Sequence, residues 1–118
     1  MASSHELEPI NTIIGEGAKF NGEFILEGSL RIDGVFSGKI LSEGKVIVGQ
    51  SGHVKTNIEA RVVIVAGRVD GNIYSLEMVH LLDTAEVTGD IISPNLIVDE
   101  GVVFEGRAKI SRGQAQEI

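Results

Sequence analysis

Apolar and polar residues alternate through one short phrase that recurs six times along the chain: apolar, polar, small, polar, apolar. It reads Phe20-Asn21-Gly22-Glu23-Phe24, Phe36-Ser37-Gly38-Lys39-Ile40 and Val54-Lys55-Thr56-Asn57-Ile58. It returns as Val69-Asp70-Gly71-Asn72-Ile73, Val87-Thr88-Gly89-Asp90-Ile91 and Phe104-Glu105-Gly106-Arg107-Ala108. The central small residues are spaced 16, 18, 15, 18 and 17 apart. A period of two within each phrase describes a strand with one buried face. A period near 17 between phrases is too short for a helix pair and suits one turn of a β-solenoid. Helices are excluded, because β-branched residues alternate with polar ones and Gly recurs in almost every segment.

The alternation extends backward from each phrase. Four residues before the small one stand Ala18, Gly34, Gly52, Gly67, Ala85 and Val102. Eight before it stand Ile14, Leu30, Val48, Val63, Leu81 and Val98, which predicts one continuous aliphatic column. Like residues at like positions are what stacked coils require. The expected fold is therefore all-β, a single-domain β-helix of six coils over 13–112, with short flexible tails at 1–12 and 113–118. At about 4.8 Å per coil it forms a rod of about 29 Å. Its hand is open. Pairs six residues apart, such as Leu30 and Phe36, echo a left-handed hexapeptide helix, whereas the variable coil length and Ser42, Ser75 and Ser93 favour the right-handed form.

Composition narrows the function. The 118 residues hold fifteen Gly but only two Pro, so Gly marks corners rather than disorder. Four Phe, one Tyr and no Trp leave the interior to aliphatic side chains. Without Cys there is neither a disulfide framework nor a thiolate metal site. A net charge of −7 disfavours nucleic acid, since no basic face is available to displace counterions. The longest purely apolar run, Val62–Ala66, is far below the roughly 18 residues of a membrane span. With no secretory pattern at the N-terminus, a cytoplasmic protein is expected.

Candidate chemistry is sparse. His53 and His80 lie in different phases of their coils and do not form a metal pair. Asp70 and Asp90 flank their small residues on opposite sides, so they do not stack as paired catalytic carboxylates. Gly15-Glu16-Gly17 precedes a strand rather than a helix and makes no phosphate loop. No enzyme activity, cofactor or metal is expected.

The array resembles the bactofilins, a bacterial cytoskeletal family. The resemblance spans about residues 12–112 and is carried by Leu30-Arg31-Ile32-Asp33-Gly34-Val35-Phe36-Ser37-Gly38, Val69-Asp70-Gly71-Asn72-Ile73 and Val87-Thr88-Gly89-Asp90-Ile91. It implies a right-handed β-helix with a triangular core that polymerises end to end, without nucleotide, into filaments lacking overall polarity. It also implies a scaffold at the inner face of the cell membrane for cell-wall enzymes or a membrane protein, with an effect on cell shape. Met1-Ala2-Ser3-Ser4-His5-Glu6-Leu7-Glu8 departs from the hydrophobic leader of membrane-binding members, which argues against direct lipid binding.

Physics points to the same self-association. A β-helix exposes unpaired strand edges and apolar core at both ends unless they are capped. The expected contact surfaces are Ile13, Ile14, Phe20 and Phe24 at the N-terminal end, and Leu96, Val98, Val102, Phe104 and Ile110 at the C-terminal end. The alternative is a capped, monomeric β-helix that presents a face to a partner protein.

Overall fold

The computed structural model describes residues 10–111. Fourteen strands and no helix occur among them: β1 (Ile10–Ile14), β2 (Lys19–Leu26), β3 (Ser29–Ile32), β4 (Val35–Ser42), β5 (Lys45–Val48), β6 (His53–Lys55), β7 (Ile58–Val65), β8 (Arg68–Asp70), β9 (Ile73–Leu81), β10 (Glu86–Thr88), β11 (Ile91–Ser93), β12 (Leu96–Val98), β13 (Val103–Glu105) and β14 (Ala108–Ile110). Every pairing is parallel and joins one coil to the next, so the chain is a β-solenoid of six coils. Pairing opens at Ile10, opposite Ser29, so residues 10–12, expected in the leading tail, belong to a strand. The rest of that tail, together with residues 112–118, lies outside the described residues.

The strands form three faces. The first stacks β1, β3, β5, the end of β7, the end of β9 and β12. The second stacks the starts of β2 and β4 with β6, β8, β10 and β13. The third stacks the ends of β2 and β4, the starts of β7 and β9, β11 and β14. Inward residues form columns such as Phe20–Phe36–Val54–Val69–Val87–Phe104 and Phe24–Ile40–Ile58–Ile73–Ile91–Ala108. The middle coils bury these side chains almost completely, and removing that apolar area from water is the main force holding the rod together.

One expected column is corrected by the register. Ile14, Ile32, Val48, Val65, Leu81 and Val98 stack together, whereas Leu30 and Val63 belong to the neighbouring column with Val46, Val79 and Leu96. The cause is the corner between the first and second faces. In coils two and four it is two residues shorter than in the others, as Ile32-Asp33-Gly34-Val35-Phe36 shows beside Val48-Gly49-Gln50-Ser51-Gly52-His53-Val54. Counting back a fixed distance therefore lands one inward position early in those coils. The corner between the third and first faces also loses one residue after Ala60 and after Ser93. Those two adjustments account for all five repeat spacings.

Long corners close as turns, with the amides of Ala18, Gly52 and Ala85 donating to the carbonyls of Gly15, Gly49 and Leu82. The short corner brings Gly34 so near the coil below that a Cβ there would sit 2.3 Å from the Ala18 carbonyl oxygen. Gly38 has φ +124°, where L side chains are strained, and its Cβ would strike the Gly22 carbonyl. The third corner relies on buried serines. Ser42 Oγ donates to the Gly28 carbonyl and accepts from the Gly44 amide, and Ser75 Oγ accepts from the Glu77 and Met78 amides. These serines satisfy backbone groups that would otherwise be buried without partners.

Outside, side chains clip one coil to the next. Asn57 Oδ1 accepts from the Asn72 amide, Asn72 Oδ1 from the Asp90 amide, and Asp90 Oδ1 from the Arg107 amide. His53 Nε2 lies 2.7 Å from Asp70 Oδ2, joining coils three and four, and His80 Nε2 lies 3.0 Å from Asp99 Oδ1, joining coils five and six. The hydrogen bond from His53 holds the Asp70 carboxyl below its ordinary range; the nearby Arg68 charge adds to this and partial burial opposes it. A carboxyl depressed in the folded state stabilises it above the unfolded pKa of about 3.9, and that contribution is lost as pH falls through the folded value. Urea titrations should therefore show Asp70→Asn less stable than the parent at neutral pH, with the gap closing in acid. A gap independent of pH would mean that the carboxylate's charge is not what stabilises this contact.

Candidate assembly interface

The three-faced stack leaves two ends, and each is built by its terminal coil. Among the described residues, at the N-terminal end β1 pairs only with β3 and β2 only with β4. At the C-terminal end β12, β13 and β14 pair, among the described residues, only with β9, β10 and β11. Among the described residues each end thus presents three strand edges whose backbone groups have partners on one side alone, a template for adding another coil.

The inward columns run out through these edges. Val98 continues the column of Ile14 and Leu81, yet it is 50 % exposed, where Leu81 is fully buried. Ile110 sits in register with Ser93 and is 45 % exposed. Leu96, Val102 and Phe104 are half-buried and pack on the core from one side. Ala108 closes the column of isoleucines with a smaller side chain in the coil where Phe104 replaces Val. All five residues expected at this end therefore lie in inward positions of the last coil.

The N-terminal end is aromatic. Phe20 and Phe24 are half-buried with ring centroids 4.7 Å apart, and both rest on Phe36 at 5.0 and 5.8 Å. Ile14 lies beside them and is nearly buried. Ile13 is a correction. It pairs with Arg31 on the outer side of the first face and is 62 % exposed, so it flanks the end rather than forming its apolar floor. The reason is the pleat: Ile13 and Ile14 are consecutive, and consecutive strand residues point to opposite faces.

Sequence reasoning missed the Asn57–Asn72–Asp90 ladder, and it marked Ser42, Ser75 and Ser93 without their role at the corners. The signal for the ladder was Asn at the same phase of two consecutive coils. Among the described residues no group of three His or carboxylate side chains is positioned to hold a cation, and no helix is long and apolar enough to cross a membrane. The chemistry available at either end is burial of apolar side chains and extension of strand ladders.

Known proteins share this fold. Residues 12–109 match the family model described as "Bactofilin: Polymer-forming cytoskeletal". The chain is 38 % identical over 96 residues to bactofilin BacO of Myxococcus xanthus, covering 81 % of this chain and 76 % of that one. It is 33 % identical to bactofilin BacP of the same organism, covering 91 % of this chain but 46 % of BacP. Among solved structures it is similar to the Thermus thermophilus bactofilin in double helical filaments, with a TM-score of 0.76, 34 % identity, and coverage of 82 % of this chain and 96 % of that one. The solid-state NMR structure of the cytoskeletal bactofilin BacA is likewise similar, with a TM-score of 0.72, 38 % identity, and coverage of 81 % and 91 %.

Proposed function

The chain belongs to the bactofilin family of polymer-forming cytoskeletal proteins, and from that premise we propose that it assembles through its two terminal coils into filaments that need no nucleotide. The observation that carries this reading is the abrupt loss of burial along otherwise continuous columns, as between Leu81 and Val98. Apolar side chains in inward register at an open end lose water only when another coil stacks on them. The filament joins like ends to like, so it has no overall polarity, and it scaffolds cell-shape or cell-wall machinery at the membrane. Because a related bactofilin is solved in double helical filaments, we extend a two-stranded polymer to this chain.

The test is sedimentation of the purified chain without nucleotide, with negative-stain microscopy of the pellet. Long unbranched filaments are expected. A monomer that persists at high concentration would overturn the reading in favour of a capped β-helix displaying a face to a partner.

A further inference from the structure

The third face carries an apolar stripe on its outer side. Its outward column reads Ile25, Leu41, Glu59, Tyr74, Ile92 and Lys109 from coil one to coil six. Ile25 is 67 % exposed, Tyr74 and Ile92 are also exposed, and Leu76 beside them is 66 % exposed. Leu41, Glu59, Tyr74 and Leu76 line a shallow depression of about 110 Å³. The second face is unlike it, bearing Lys19, Lys55, Arg68, Asp70, Glu86 and Glu105 outward. No other element among the described residues covers the third-face stripe.

We propose that this stripe is an antiparallel contact with a second copy of the chain, related by a two-fold axis that crosses the face between coils three and four; this rests on the filament reading above. The argument is self-complementarity. Such an axis reverses coil order and keeps each column opposite itself. Leu41 then meets Ile92 of the partner subunit, and Glu59 meets Tyr74 of the partner subunit, whose phenol is the hydroxyl donor in the column. Ile25 meets the stem of Lys109 of the partner subunit.

The neighbouring column, at the edge of the same face, supplies independent support. It reads Glu23, Lys39, Asn57, Asn72, Asp90 and Arg107. Reversed against itself it sets Glu23 opposite Arg107, Lys39 opposite Asp90, and Asn57 opposite Asn72. Every charge meets its opposite and amide meets amide. A side-by-side pair running in the same direction would set Glu59 beside Glu59 at equal height instead. Exposed ion pairs are weak singly, so this column chooses orientation while the apolar stripe supplies attraction.

One protomer's face is a small contact. End-to-end assembly multiplies it, since each filament presents the stripe once per subunit and pairing becomes effectively intramolecular after the first contact. Lateral pairing therefore follows polymerisation and does not replace it.

The experiment compares wild-type polymer with Tyr74→Glu, which faces Glu59 of the partner across the axis, and with the double variant Glu59→Lys, Tyr74→Glu. Both positions point to solvent, but they are also register partners within one chain, so thermal melting of each variant accompanies the microscopy, and single filaments are attributed to loss of the contact only where the melting point matches wild type. Microscopy should show paired filaments for wild type, single filaments of similar length for Tyr74→Glu, and pairing regained in the double variant. Because the chain has no Cys, Leu41→Cys and Ile92→Cys proteins mixed before assembly and then oxidised with copper–phenanthroline should yield the mixed disulfide in large excess over either homodimer. Single wild-type filaments, pairing indifferent to Tyr74→Glu, or a dominant 41–41 disulfide would each overturn the contact while leaving end-to-end assembly intact. Absence of any filament in wild type would overturn the end-to-end reading, and this contact with it.

Discussion

Phe104→Arg is expected to convert filaments into small discrete species while the β-helix stays folded. Phe104 is half-buried at the open end, so a longer cationic side chain can extend into water in the free subunit. Stacking a second coil there removes that water and leaves a guanidinium without a counter-charge in an apolar contact. An uncompensated buried charge costs about 3–5 kcal/mol. At 1.4 kcal/mol per factor of ten, that weakens the contact by at least about a hundredfold. The circular dichroism of the folded chain should be unchanged, and the pelleted fraction should collapse.

The size of the remaining species reports the polarity of the polymer. Where like ends meet, blocking the C-terminal coil leaves the N-terminal contact working and dimers accumulate. Where unlike ends meet, every contact contains one C-terminal coil and monomers remain. Analytical ultracentrifugation distinguishes the two, and dimers are expected. Filaments of normal length from Phe104→Arg would remove the last coil from the interface.

The parts of this molecule visible in its sequence are those governed by burial. Positions two before and two after each small residue must be apolar because both point into a narrow core, and nothing outside the coil relaxes that demand. Corner lengths are governed differently. Gly34 and the Gly49–Gly52 turn both reverse the chain acceptably, one with two residues fewer, so Leu30 and Val63 counted into the wrong column. Contacts on the outer surface were the least legible. Asn72 and Asp90 look like any solvated residues until register sets each one's side chain against a neighbouring amide. Ile13 shows the same limit from the other side: its hydrophobicity suggested an end contact, and only the pleat of β1 turns it outward.

Phe36→Ala should damage the N-terminal end selectively. Phe36 is fully buried and carries the rings of Phe20 and Phe24 above it. Truncating a buried Phe costs about 3–5 kcal/mol, a large share of the 5–15 kcal/mol that typically holds a domain together. In a solenoid each coil contacts only its neighbours, so the loss is concentrated where the cavity lies. Coils one and two should open first, which hydrogen exchange would record as lost protection over 19–42 with protection retained over 58–93. The aromatic floor of the N-terminal end is then no longer organised, while the C-terminal coil remains competent. Assembly should therefore stop at dimers joined through C-terminal coils, the mirror image of the Phe104→Arg product, and mixing the two variants should leave two separate populations of dimers rather than restore filaments. Uniform loss of protection would show that the coils unfold as one cooperative unit. Intact filaments would show that stacking at the N-terminal end does not depend on the aromatic cluster.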